Sequence, residues 1–256
     1  MLLGAFLALF AVLSLLFLSR LTLTPKQSAN STVLKAERIN YKEQSFDVVR
    51  YSPGEAELRL FWKDEEGEAF GSFESLRNSL KKEGKKLLFA TNAGIFSKNN
   101  RPGGLHIEDG KALGELNLKD GYGNFHLKPN GVFMMGAAGA NVVESTQYSQ
   151  LQENEVQIAT QSGPMLVREG KLHPAFNEGS SNRFVRNGVG VDDKGNIWFA
   201  ISNEKVNFFD FASLFRERLS CPNALYLDGS ISAFYLPDLE RYDSRGGFCG
   251  ILAVIE

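Results

Sequence analysis

Four short segments carry the polar residues that could do chemistry, and each lies where an apolar run begins or ends. Asn92 and Gly94 follow 86–91 (KLLFAT), and Gln161-Ser162-Gly163-Pro164 follows 157–160 (QIAT). Arg186-Asn187 leads into a strand-like stretch holding Gly190, and Asp228-Gly229-Ser230-Ile231-Ser232 follows 224–227 (ALYL). A buried strand that ends on a polar side chain and a glycine offers that group from a rigid scaffold, while the loop leaves it open to a ligand. Asp228 has the chemistry of a nucleophile, a general base for water or an electrostatic stabiliser; its bland reading is an Asx-turn onto Ser230. Asn92 and Gln161 have amides that bond a ligand's hydroxyls or brace a neighbouring loop. Arg186 either meets an anion with its fork or pairs with a carboxylate of the fold such as Asp192 or Asp193.

Other signatures are missing. No GxGxxG follows a strand, and there is no P-loop, HExxH, CxxC or GxSxG, which sets aside nucleotide-binding and zinc-protease chemistry. His106, His126 and His173 do not stand at ligand spacing, so no metal and no cofactor is expected. Ser162 and Ser232 have no histidine nearby in sequence and no nucleophile elbow, which argues against a serine hydrolase; Ser232 fits better as a hydrogen-bond donor to a ligand. Lys+Arg 28 against Asp+Glu 30 leaves a net charge of -2, with no electrostatic footprint for nucleic acid.

The elements that must position these residues are short. With 256 residues, 43% of them apolar, the chain can bury a sizeable core. Residues 2–18 form an apolar run broken only by Gly4 and Ser14. It is longer than a signal core of roughly 7–15 and short of a span of about 20, so a cleaved signal and an uncleaved membrane anchor both fit. Either way the expectation is export, to the periplasm or the outer face of a membrane, with 1–30 as leader and linker and 31–256 as one domain. An even pair of cysteines, Cys221 and Cys249, in an exported chain predicts a disulfide. Ser72 caps a predicted helix through Phe73, Leu76 and Leu80 that stops at Gly84, and Asn207 with Asp210 caps a second along Phe208, Phe211, Ala212, Phe215 and Leu219. Residues 45–51 and 58–62 are expected to pair across Ser52-Pro53-Gly54. Hairpin turns are expected at Asp109-Gly110, Asn130-Gly131, Glu169-Gly170 and 192–196. The fold class predicted is α+β, a single mixed domain with a largely antiparallel, hairpin-rich sheet and a few packed helices.

Taken together, Asn92-Ala93-Gly94-Ile95-Phe96, the Pro102-Gly103-Gly104-Leu105 loop, Gln161-Ser162-Gly163-Pro164, Arg186-Asn187 with Gly190, and Ala224 to Gly229 resemble the phosphodiester glycosidase domain family over residues 86–256. Ala93 stands where many members carry a second Asn. The resemblance implies hydrolysis of the bond between a sugar's anomeric carbon and a phosphodiester oxygen, with a carbohydrate phosphodiester as substrate. Such a reaction passes through an oxocarbenium-like transition state that a carboxylate stabilises, and its phosphate leaving group needs charge neutralisation more than a proton, which Arg does best. Asp228 and Arg186 are therefore the expected catalytic pair. Asn92, Gly94, Gln161, Ser162, Gly163, Asn187, Gly229 and Ser232 are the expected substrate-binding set. The competing class is a non-catalytic envelope module that binds a glycan or sugar phosphate.

Overall fold

The computed structural model describes residues 34–54, 56–97, 100–151 and 155–256, which belong to one compact unit, Thr32–Glu256. The leader or anchor expected at 1–30 lies outside the described residues. In chain order the strands and helices are β1 (Leu34–Tyr41), β2 (Gln44–Tyr51), β3 (Glu57–Phe61), α1 (Phe73–Lys82), β4 (Leu87–Asn92), β5 (His106–Glu108), β6 (Lys111–Gly114), β7 (Gly131–Gly136), β8 (Gly139–Glu144) and α2 (Ser145–Tyr148). They continue with β9 (Val156–Ser162), β10 (Met165–Arg168), β11 (Lys171–Leu172), β12 (Asn187–Val191), β13 (Ile197–Ser202), α3 (Phe208–Ser213), β14 (Asn223–Tyr226), β15 (Phe234–Leu236), β16 (Arg241–Tyr242) and β17 (Ile251–Ile255).

The described strands build three sheets: β1-β2-β13-β12-β14-β10-β11, β16-β15-β4-β17-β3 and β6-β5-β9-β7-β8. Their pairings are antiparallel, so the architecture is the expected mixed domain but dominated by sheet. One core joins all three. Phe89 of β4 meets Phe199 of β13 at 5.0 Å between ring centroids and Phe234 of β15 at 5.0 Å, and Phe133 of β7 reaches Phe199 at 6.4 Å. Each of these rings is fully buried, a contribution of about 1.5–3 kcal/mol apiece.

Two helices cover the outer faces, and both form as their sequence predicts. Ser72 accepts a hydrogen bond from Ser75 N to cap α1, whose Phe73, Leu76 and Leu80 pack on Ala90, Ile251 and Ala253. Gly84 then takes φ +75°, a left-handed value that glycine adopts without strain. Asn207 Oδ1 accepts from Asp210 N at 2.8 Å, and α3 runs into a π-helical turn, Leu214–Arg218. The Phe208–Leu219 stripe lies on Phe46, Val48 and Ala200.

Hairpins close at 109–110, 169–170 and 192–196, as expected. Three expectations fail. Residues 45–51 and 58–62 do not pair: β2 lies between β1 and β13, while β3 pairs with β17 in another sheet. The missing partner is β1, whose half-exposed LKAERINY lacks the apolar run that marks a strand. Asn130-Gly131 is not a hairpin turn either. Asn130 is buried and donates to Phe125 O at 2.8 Å, Gly131 opens β7, and the β7–β8 turn falls at 136–139.

The third correction concerns the cysteines, which are not bonded. Cys221 precedes β14 in the seven-stranded sheet and points to Leu219 O, whereas Cys249 precedes β17 in a different sheet and points to Asn100 O, each at 3.5 Å. Burial pushes both thiols up, Cys249 to about 12, so neither carries the thiolate that reacts. Thiol titration should therefore find no reactive sulfhydryl in the native protein and both after denaturation, with a melting temperature indifferent to reductant. A melting temperature that falls on reduction would restore the bridge.

Candidate functional site

The ends of β4, β12 and β14 converge on one buried hydrogen-bond network. Asn187 opens β12 and donates through Nδ2 to Thr91 Oγ1 at 2.8 Å and to Asn92 Oδ1 at 2.9 Å. Asn92, closing β4, receives a second bond on Oδ1 from Ala233 N at 2.9 Å and donates through Nδ2 to Asp228 O at 3.0 Å. Ser232 Oγ donates to Asn187 Oδ1 at 2.9 Å. The backbone repeats the same links: Leu227 N to Asn187 O at 3.2 Å and Asp228 N to Ala93 O at 3.3 Å. Asn92, Asn187 and Ser232 are buried, so their amides and hydroxyl fix the loop instead of facing solvent.

Asp228 is what this network holds. Its Oδ1 accepts from Ser230 N at 3.1 Å and Ser230 Oγ at 2.8 Å, the Asx-turn its sequence predicts. Its Oδ2 takes no hydrogen bond from the described residues and is not among their sealed polar atoms. Burial raises the Asp228 pKa above the ordinary carboxylate value, and the two bonds from Ser230 oppose that shift only in part. Such a carboxylate is poised for proton transfer or for stabilising positive charge.

Arg186 lies one layer below. Its guanidinium stacks 3.5 Å from the Phe208 ring centroid. It donates from Nε to Val206 O at 2.9 Å and from Nη2 to Asn182 O and Oδ1 at 3.0 and 2.7 Å. A fourth bond runs from Nη1 to Tyr226 Oη at 3.3 Å, leaving one of the guanidinium's five N–H groups open. No carboxylate among the described residues pairs with it; Asp192 is engaged with Asn196 and Trp198. Burial draws its pKa down, and the charge persists because Arg does not deprotonate in proteins.

Tyr226 links Arg186 to this turn, a role not readable in sequence, since an aromatic inside a buried strand reads as core. Its hydroxyl lies so close beneath Gly229 that a Cβ there would collide with it. This is why a glycine follows Asp228. Burial raises the Tyr226 phenol to about 12, with Asp228's charge adding and Arg186 opposing, so the phenol stays protonated.

Gln161 and Ser162 flank segment 92–96 rather than joining Asp228, and Gly163 packs on Asn130 and Phe125 instead. Gln161 Oε1 accepts from Leu105 N at 3.0 Å and Asn117 N at 2.8 Å, and Nε2 donates to Asn117 O at 2.8 Å and Ser145 Oγ at 3.0 Å. Its amide is thereby spent on bracing the 103–117 loop. Ser162 Oγ accepts from Ile95 N at 3.3 Å, and Thr160 Oγ1, another residue whose part was not visible in sequence, accepts from Gly94 N at 3.2 Å. Gly94 sits so tightly on Gln161 O and Thr160 Oγ1 that no Cβ fits there. Together these bonds fasten segment 92–96 to β9.

Comparison with known proteins identifies the family and the fold. A sequence model of the phosphodiester glycosidase family matches residues 85–244. The chain is 35% identical over 185 residues, 72% of each chain, to the uncharacterised protein YigE of Escherichia coli strain K12. Its fold is similar to the zebrafish N-acetylglucosamine-1-phosphodiester alpha-N-acetylglucosaminidase catalytic domain, described as auto-inhibited by its pro-peptide, with TM-score 0.59 and 17% identity over 88% of this chain and 84% of that one. A hypothetical protein from Synechocystis shares it at TM-score 0.53 and 14% identity, over 87% of this chain and 61% of that one.

Gln161→Glu tests the bracing role. It sets an acceptor against Asn117 O and withdraws the donor that Ser145 Oγ accepts from, so the loss of stability should be about 1–3 kcal/mol, with faster proteolysis in the 103–117 loop. An unchanged melting temperature would show that the amide is free for a ligand.

Proposed function

Since the chain belongs to the phosphodiester glycosidase family, we propose that it is a hydrolase of the cell envelope that cleaves a sugar-1-phosphodiester at the anomeric carbon. Water adds to that carbon and the phosphomonoester departs with the bonding electrons. The envelope location is supported by the apolar run at residues 2–18.

The observation that carries this reading is the state of Asp228. It is 8% exposed, held by its own backbone N–H and C=O, with one carboxylate oxygen committed to Ser230 and the other open. The open oxygen is the group that would face the developing oxocarbenium ion, or take the proton of the attacking water. Arg186, unpaired by any described carboxylate, sets a positive charge beneath the Asp228-Gly229 turn through Tyr226. Departure of the phosphate increases negative charge on it, and a fixed cation nearby favours that step without reorganising. A pure binding module has no use for a half-open carboxylate beside an anionic ligand, where like charges repel.

Two variants test this. Asp228→Asn keeps shape and the Asx-turn, so the fold should hold while kcat on an aryl sugar-1-phosphodiester falls about a hundred- to a thousandfold, the cost of about 3–4 kcal/mol of transition-state electrostatics. Because the ionised form is the active one and its pKa is raised, the wild-type rate should decline with falling pH already above the ordinary carboxylate range, and that limb should vanish in the variant. Near-normal turnover in Asp228→Asn would remove Asp228 from the chemistry, and no turnover by the wild-type chain would leave the protein a binder. Arg186→Lys keeps the charge but gives up the fork that fixes it on Val206, Asn182 and Tyr226. Turnover of phosphodiesters should drop on the order of tenfold or more, while an aryl glycoside with a neutral leaving group responds far less; equal losses on both would make Arg186 purely structural.

A further inference from the structure

Pro102 belongs to three adjoining depressions. One is a narrow niche beside Ala93 and Gly94, next to the Asp228 loop that bonds Ala93 O. The other two are open troughs of about 520 and 800 Å³ that share Pro102, Glu115 and Leu116 and so run into each other. The turn between them is rigid: Gly103 N donates to Ile95 O at 3.0 Å, and Asn117 Nδ2 to Gly103 O at 2.8 Å. The two troughs thus form one depression over a fixed floor, and Pro102 joins its edge to the niche beside Ala93.

Its walls have a particular chemistry. Lys63, Arg101 and Lys119 are exposed along it against the single acid Glu115, and among the described residues none of the three cations forms an ion pair. Trp62 lines the larger trough with Lys63 Nζ 4.7 Å from its ring centroid, and its buried Nε1–H has no hydrogen-bond partner. Leu113 and Leu118 are each 40% exposed on the two troughs. Apolar and aromatic surface suits the C–H faces of sugar rings, and unpaired cations suit phosphates.

Resting on the hydrolase reading above, we propose that this trough is a run of subsites for an anionic glycan of repeating sugar–phosphate units, so that the substrate is the end of a polymer and not an isolated diester. The cations would hold phosphates outside the scissile unit, and the two exposed leucines would carry sugar rings between them, with the largely buried Trp62 at the edge of the larger trough. None of this needs any group beyond those the trough presents.

The test uses the full chain and three probes: a long N-acetylglucosamine-1-phosphate oligomer, a single aryl N-acetylglucosamine-1-phosphodiester and a neutral chitooligosaccharide. Binding is followed by tryptophan fluorescence, since Trp62 and Trp198 are the two tryptophans of the chain and Trp62→Phe identifies the responding one. The oligomer should bind more tightly than either other probe, more weakly as salt rises, with the signal lost in Trp62→Phe. Combined Lys63→Glu, Arg101→Glu and Lys119→Glu changes should raise its Kd about tenfold or more, and lower by a similar factor the ratio of kcat/KM on oligomer to that on the single diester. Equal affinity for all three probes, or a ratio unmoved by the charge reversals, would overturn the proposal. Salt- and charge-dependent oligomer binding without turnover of any probe would uphold the trough and remove the hydrolase; turnover of the single diester with no preference for the oligomer would do the opposite.

Discussion

Everything at this site depends on the hydrogen bond between two buried amides, Asn187 Nδ2 to Asn92 Oδ1. The two residues end strands of different sheets, β12 of the seven-stranded one and β4 of a five-stranded one, and the bond is the polar stitch between them. In a low-dielectric interior such a bond is strong when satisfied and costly when not. Asn92 meets that demand with Ala233 N and Asp228 O, Asn187 with Thr91 and Ser232. The stitch therefore sets how the two sheets meet and where the Asp228 loop leaves them. Shape alone could not, because the aromatic core around Phe89 and Phe199 is apolar and non-directional.

The protein treats its buried charges in two opposite ways. Asp47 on β2 is fully buried yet receives Arg38, Arg241 and Asn203. Burial alone would raise its pKa, but those donors outweigh burial and hold it below the ordinary value. That is a closed cluster, neutralised on site, and it ties β1 and β16 to β2. Arg186 is equally buried and surrounded by carbonyls, a phenol and aromatic faces, with no carboxylate among the described residues. Dipoles and ring faces solvate the cation without cancelling it. A fold that closes one buried charge so fully and leaves another unpaired beneath a half-open carboxylate has placed its electrostatic asymmetry at the strand ends.

The strand ends were legible because each pairs an apolar run with a polar residue and a glycine, a pattern that survives in one dimension. So were both packed helices, whose caps Ser72 and Asn207 form the bonds their sequence implies. Sheet partnership was not. Strand β1 is polar on its exposed face, so it carries little apolar signal, and without it β2 seemed to pair with its neighbour β3 in sequence. Nor could sequence separate a ligand-facing amide from a bracing one: Gln161 has the same composition either way, and the partners it bonds, Leu105, Asn117 and Ser145, are distant in the chain. Tyr226 was hidden for the opposite reason, because its ring is core in fact and only its hydroxyl does something else. The cysteines misled through counting, since an even number says nothing about which sheets their strands join.

The bracing explains why so few polar atoms are left to act. A group that must hold its place as charge develops has to be fixed beforehand, or the gain is lost to reorganisation. Asp228 is fixed at its N–H by Ala93, at its C=O by Asn92 and at one carboxylate oxygen by Ser230. The second oxygen is the single degree of freedom remaining. Ser230 also limits how far burial can raise the carboxyl's pKa, its two hydrogen bonds opposing that shift. Ser230 thus favours the charged carboxylate, while Gly229 lies over the Tyr226 phenol that Arg186 bonds. Amides whose types suggest sugar ligands are instead what allows one acidic oxygen to be held still.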